Sequence, residues 1–394
     1  MYSIYISNLD QKIDKILVIF KNNMGSLKVI TSDMVFVGLQ YKNYMIKDYK
    51  IIEVEKLLNL KTARCFTLGG ISKQLLKQFV ASDIKLNLNA AEEIILREHF
   101  YQNRVEVFKL LGLKPKDSTL ISIDFNHLYL NLMQQKLPTK KLNIQKNHKI
   151  DLKRPGFYSI SYTMPENIEP ILPNKLEGLT YFNAGKGSGV YWHEEILYFE
   201  KHGGLINAIE VVCLFDEELE ILKPFMQYLL KLPNRSIRKG LANQLFGHFG
   251  MKTWKYRKEL RLNINIGEDP SPIRRLRQLG EFSLVEMNQL EYVYNPVSNI
   301  AWALIITARA RIQIHKLIYE AQEHGLTIYF VNLDELIVES NENVKLLMFN
   351  WGSNIKIKKV SRENEAYLIN MQLNALYKRQ LSDTKEGSYK AWKK

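Results

Sequence analysis

Asp124 and Asp334 are the residues of this chain best suited to chemistry on a phosphate. Asp124 ends the apolar run LISI just before NHLYLNLM, where a strand meets a helix. Asp334 lies between IYFV and LIVE, in a tight hairpin around Asn332–Glu335. Carboxylates brought together by rigid strands from distant segments can hold hard divalent cations such as magnesium. Two such ions, about 3.5–4 Å apart, activate an attacking oxygen and neutralise phosphate charge. A single aspartate after a strand more often caps a helix or a turn, so the surroundings decide. Residues 332 and 334 are two apart on a strand edge and face the same way. Lys239 and Asn243 are four apart and share one helical face.

The elements that must position these groups can be read from periodicity. Residues 1–60 contain the strand-like runs ISNL, KILVIF, LKVIT and MVFVGLQ. Helical spacing covers 70–82 and 89–100, with Asn89 as N-cap, and residues 217–250 are mostly helical. Residues 150–215 are strand-and-turn material that includes the hairpin-like YFNAGKGSGVYW. Short strands fill 254–297 around a proline turn, EDPSP, and a long helix spans 299–324. The order implies an α+β fold, helices packed on one face of an antiparallel sheet.

Several segments resemble the protein-primed family B DNA polymerases of phages, linear plasmids and mitochondria. SIDFNHLYLNLM resembles the first palm motif, D-x-x-S-L-Y-P, through Asp124, Leu128 and Tyr129; His127 replaces the serine and Leu130 the proline. RKGLANQLFGHFGMK resembles the fingers motif, K-x-x-x-N-S-x-Y-G, through Lys239, Asn243 and Gly247. YFVNLDELIVE resembles the second palm motif, Y-x-D-T-D-S, with Asn332 for the first aspartate and Glu335 for the serine. FYQNRVEVF is similar to a segment that touches the template strand, with Tyr101, Arg104, Glu106 and Phe108 matching and Gln102 and Asn103 in place of glycines. KLEGLTYFNAGKGSGVYWHEEI is similar to the hairpin that grips a priming protein. Arg311 matches an arginine on the helix before the last palm motif, and Tyr377 the tyrosine of K-x-Y, whose lysine has become Ala375.

The resemblance implies a palm in which Asp124 and Asp334 are catalytic and bind two Mg²⁺ or Mn²⁺ ions. It implies that Tyr129 stacks under the incoming sugar, with Lys239, Asn243 and Gly247 also contacting the nucleotide. Tyr101, Arg104, Arg311 and Tyr377 would contact nucleic acid. The implied partners are template-primer DNA, deoxynucleotides and a terminal protein. The motifs divide the chain into an exonuclease-like remnant at 1–98 and the first palm segment at 99–133. A priming-protein insert follows at 134–216, fingers at 217–250, the last palm segment at 251–378 and a basic tail at 379–394. No D-x-E metal pair occurs in residues 1–100, so no complete exonuclease domain is expected; the stretch between Phe215 and Lys239 leaves little room for a helical pair, so short fingers are expected, and no thumb is evident.

Composition agrees with a nucleic-acid partner. The 394 residues are 46% hydrophobic, enough for a real core, and 55 basic against 41 acidic residues give a net charge of +14. Cys65 and Cys213 are too few for a disulfide framework, which suits a reducing compartment. No apolar run reaches membrane-spanning length, and no membrane is expected. The N-terminus lacks a signal core or an Arg-rich presequence, which implies an organelle-encoded mitochondrial protein or residence in host cytoplasm. A second reading is a polymerase-derived protein without turnover that binds RNA or DNA within an assembly such as a mitochondrial ribosome.

Overall fold

LISIDF and ELIVES are rich in apolar and β-branched residues, and the strands they form are interior strands of a five-stranded sheet. The computed structural model describes residues 16–21, 29–31, 40–41, 44–48, 68–80, 86, 88–115, 117–142, 150–176, 178–251, 254–262, 273–279, 282–292 and 298–386. ISNL, most of MVFVGLQ, Cys65, the EDPSP turn and Lys390, Lys393 and Lys394 lie outside them.

In chain order, strands β1 (Ile16–Lys21), β2 (Val29–Thr31), β3 (Gln40–Tyr41) and β4 (Tyr44–Asp48) precede helices α1 (Leu68–Leu76) and α2 (Ala90–Glu98). Strands β5 (Val105–Val107) and β6 (Leu120–Phe125), helix α3 (Leu128–Leu132) and strand β7 (Leu137–Lys141) come next. Strands β8 (Gly156–Met164), β9 (Pro173–Leu176), β10 (Leu179–Phe182) and β11 (Gly185–Trp192) lead to helix α4 (His193–Lys201) and strand β12 (Leu205–Leu219). Helices α5 (Lys223–Lys231) and α6 (Arg235–Phe249) are followed by β13 (Trp254–Leu262), β14 (Ile273–Leu279) and β15 (Phe282–Tyr292). The last elements are α7 (Ile300–Glu323), β16 (Ile328–Asn332), β17 (Glu335–Glu339), α8 (Val344–Trp351), β18 (Ile355–Lys359) and α9 (Arg362–Glu386).

The chain divides into two units, 1–85 with 224–298 and 86–223 with 299–394. The second unit holds the antiparallel sheet β18-β6-β17-β16-β5. Leu120 and Ile337 on one face pack with Leu111, Phe330 and, from α9, Leu368. Phe125, on the other face, meets the ring of Trp351 of α8 at 5.3 Å. Helices therefore lie against both faces. Helix α7 is buried all round from Ile300 to Arg311, where it is mostly apolar, and opens to solvent at Lys316 and Tyr319. Asn299 caps it by accepting from the Trp302 N–H at 3.2 Å. Asn89 caps α2 as expected and forms a capping box with Glu92.

A second antiparallel sheet, β11-β8-β12-β7, carries a core of Tyr158, Ile160, Tyr162, Tyr191 and Phe199. The expected hairpin in YFNAGKGSGVYW is not one. Leu179–Phe182 pairs with Pro173–Leu176, and Gly185–Trp192 pairs with Gly156–Met164, so the segment crosses from one sheet to another.

The first unit contains the sheets β2-β1-β4-β3 and β13-β15-β14 together with α1, α5 and α6. Helices α1 and α6 approach closely: a Cβ at Gly69 would fall 2.1 Å from the His248 ring. Ser72 donates to the Leu241 carbonyl at 3.0 Å. The stretch before Lys239, read from sequence as short of room for two helices, contains α5 and the start of α6. Among the described residues no helix is long and apolar enough to cross a membrane.

Candidate active site

The hairpin β16–β17 turns through just two residues, Leu333 and Asp334, because Asn332 pairs with Glu335. Such a turn needs positive φ at its first position, and Leu333 supplies it at φ 60°. Neighbouring groups pin that conformation. The Leu333 N–H donates to the Arg104 carbonyl, and its own carbonyl accepts from Asn103 Nδ2, both at 2.8 Å. The Asp334 carbonyl accepts from the Phe125 N–H at 3.0 Å. The hairpin is thus tied to the end of β6, the strand that carries Asp124.

Asp124 and Asp334 are not paired directly across adjacent strands. The residue directly opposite Asp124 is Glu335, and Asp334 precedes it in the turn. On its other side Asp124 is paired with Lys356 of β18. Ser122, two residues before Asp124, donates through Oγ to Glu335 Oε1. One face of the sheet therefore carries Ser122, Asp124, Glu335 and Lys356 at matched positions. Among the described residues no three Asp, Glu, His or Cys side chains converge to hold a metal. The donors present, carboxylates at three neighbouring backbone positions, are of the kind magnesium takes.

Beyond Asp124 the chain turns sharply. His127 adopts φ 55°, in the left-handed region, and α3 begins immediately after it. Asn126 secures this corner by donating from Nδ2 to the Ser353 carbonyl at 2.8 Å. Tyr129 is thereby carried back towards the hairpin. Burial raises the pKa of its hydroxyl; a hydrogen bond with Asn103 opposes the rise and the negative charge of Asp334 adds to it. Asp334, Tyr129 and Asn103 therefore form one neighbourhood.

Three expected nucleic-acid contacts are interior instead. Arg104 is 1% exposed; it donates to Glu106 at 2.7 Å and the Pro170 carbonyl at 3.0 Å, and pairs with Glu169. Arg311 makes a bidentate pair with buried Glu195, both contacts 2.7 Å, and donates to the Tyr101 carbonyl at 2.9 Å. Tyr101 is buried and stacks on Tyr191 with ring centroids 5.3 Å apart. Held by these bonds, both arginines anchor the 101–104 segment that clamps the hairpin. Tyr377 lies within α9, and its side chain is outside the described residues.

Sequence reading missed Asn103, taken there only as a lost glycine, and the opposition of Glu335 and Lys356 to Asp124. The register could have been found by counting outward from the two-residue turn. The bonds of Asn103 depend on tertiary contact and leave no local signal.

Lys239, Asn243 and Gly247 belong to the other unit. They are exposed along one side of α6, while Leu241, Leu245 and Phe249 are buried on the opposite side. A Cβ at Gly247 would meet nothing within 4 Å, so the backbone is open there.

A family model described as DNA polymerase type B, organellar and viral, matches residues 39–262. A "Probable DNA polymerase" of Neurospora intermedia is 29% identical over 196 residues, covering 44% of this chain and 20% of that protein. Among solved structures, Phi29 DNA polymerase with primer-template DNA and incoming nucleotide is similar with a TM-score of 0.56 and 14% identity. That match covers 74% of this chain and 51% of the Phi29 enzyme. The binary Phi29 complex with primer-template DNA gives a TM-score of 0.54 over 75% of this chain. The chain thus spans about half the length of the Phi29 polymerase and a fifth of the Neurospora protein.

Proposed function

Because the chain belongs to the organellar and viral type B DNA polymerases, we propose that it performs template-directed nucleotidyl transfer on DNA. The observation that supports this best is the β6–β17 register, which sets Asp124 against the Asp334–Glu335 end of the hairpin. Asp124 and Asp334 would hold two divalent cations, magnesium or manganese, with Glu335 the nearest further carboxylate. When bound, the ions supply charge neutralisation for the transferred phosphate and acidity for the attacking hydroxyl. Tyr129, whose hydroxyl meets Asn103, lies under the incoming sugar and excludes a 2′-hydroxyl. Lys239 meets the triphosphate as a point charge, Asn243 shares its helical face, and Gly247 leaves room for backbone to approach the nucleic acid. Priming by a terminal protein held by the 134–216 insert belongs to the same proposal. So does residence in a mitochondrion, or in the host cytoplasm of a phage or plasmid.

Lys356 favours a second reading. An ammonium group paired in register with Asp124 can neutralise that carboxylate without a metal, as suits a protein that binds nucleic acid without turnover. Primer extension with magnesium or manganese, run beside Asp334→Ala, separates the two. Extension by the parent chain that Asp334→Ala abolishes supports the polymerase; no extension by either, with nucleic-acid binding intact, supports the binding protein.

A further inference from the structure

Asn103 stands where the family segment has glycine, so its side chain is an addition of this chain beside the hairpin. It is 4% exposed and held at both ends of its amide. Its Oδ1 accepts from the Arg104 N–H at 3.0 Å, and its Nδ2 donates to the Leu333 carbonyl at 2.8 Å. The chain on either side is fixed as well. The Tyr101 carbonyl accepts from buried Arg311, and the Arg104 side chain is bound by Glu106 and Glu169. An amide has two donor hydrogens and two acceptor positions, so Asn103 can make a third bond without giving up either of these. Its third partner is the Tyr129 hydroxyl.

Tyr129 has little else to aim it. Helix α3 has five residues and buries Leu128, Leu130 and Leu132, while Tyr129 is only half-buried. The direction of its ring is set by two side-chain torsions, the first with three staggered wells. A hydrogen bond at the far end of the ring selects among them. We infer that Asn103 is a positioning residue that ties the Tyr129 ring to the β16–β17 turn and so sharpens discrimination between deoxynucleotides and ribonucleotides. The inference rests on the polymerase reading for the place of Tyr129 under the sugar. Asn103 touches no nucleotide in this scheme and acts through the ring. Glycine at the same position could hold neither Tyr129 nor Leu333.

The test uses the full chain with Asn103→Leu, Tyr129→Phe and the double variant. Tyr129→Phe removes only the hydroxyl and leaves the bonds of Asn103 to Leu333 and Arg104 in place. In primer extension, the ratio of kcat/KM for a deoxynucleotide and the matching ribonucleotide should fall by roughly 2- to 12-fold in each single variant, the range for loss of one neutral hydrogen bond. The double variant should fall no further than the larger single effect, because both changes break the same link. A merely structural Asn103 would lower the urea midpoint of Asn103→Leu and leave the ratio unmoved. Should Asn103→Leu fail to fold, Tyr129→Phe still decides. The parent's ratio in that variant, or losses that multiply in the double variant, would overturn the inference. A second readout needs no turnover: the rise in melting temperature given by each nucleotide, whose difference between the two sugars should shrink in the same variants. Absence of extension by the parent therefore counts against the catalytic reading alone, and the melting shifts then decide this one. A parent that prefers neither sugar by either measure overturns it.

Discussion

Leu333 and His127 are the non-glycine residues with positive φ among those described; Leu333 precedes Asp334 and His127 lies three residues after Asp124. A left-handed backbone at a bulky residue costs about 1–3 kcal/mol and persists only where its surroundings over-determine it. For Leu333 those surroundings are the Arg104 carbonyl and the Asn103 amide, which grip both of its peptide groups. The strain is thus located where carboxylates must be aimed, and Asn103 links it to the Tyr129 hydroxyl. Replacing Tyr129 by alanine removes a ring without touching either aspartate. The expected outcome is relaxed discrimination between deoxynucleotides and ribonucleotides, with extension on deoxynucleotides largely kept. The ratio of kcat/KM for the two substrates measures it, and an unchanged ratio would show that Tyr129 only fills space.

At the scale of elements, the clamp on the hairpin depends on buried charge. Arg311 on α7 and Glu195 on α4 are 4% and 1% exposed, and each has the other as its bidentate partner. Removing one partner leaves an uncompensated buried charge, which costs about 3–5 kcal/mol, whereas removing both can be nearly neutral. Arg311→Leu should therefore lower the urea midpoint sharply, and Arg311→Leu with Glu195→Leu should recover most of the loss. Additive losses would mean that the pair is not coupled. This role was not legible in the sequence. Periodicity located α7, and the Asn89 cap and the β16–β17 hairpin could be read because their signals are local. Arg311 looked like a nucleic-acid contact because a motif match gives a residue type and a position but no burial. The segment 181–192 misled for a related reason: its glycines suggested one hairpin, whereas strand pairing is decided by partners far along the chain.

For the whole molecule, the +14 surplus remains the strongest general sign of a polyanionic partner. The structure changes which residues express it. Arg104 and Arg311 are buried in ion pairs and contribute nothing to a phosphate track. Lys239 on α6 and Lys358 and Lys359 on β18 are exposed, and β18 is an edge of the sheet that carries Asp124. Each phosphate met by such a lysine releases counterions, so log affinity should fall with log salt by about 0.7 per contact on single strands. Lys239→Gln and the pair Lys358→Gln with Lys359→Gln should each shallow that slope by about 0.7 per lysine removed. Asp334→Ala should leave the slope unchanged and bind as tightly as the parent or slightly more so, since it removes a negative charge. A fluorescence-anisotropy titration from low to moderate salt reads all of these at once. Both functional readings require the binding, because positive charge is needed to hold nucleic acid whether or not a bond is made. If the full chain bound neither single-stranded DNA, primer-template nor RNA at low salt, the surplus would have to answer a protein or lipid partner. The palm-like sheet would then record descent from a polymerase rather than a present use.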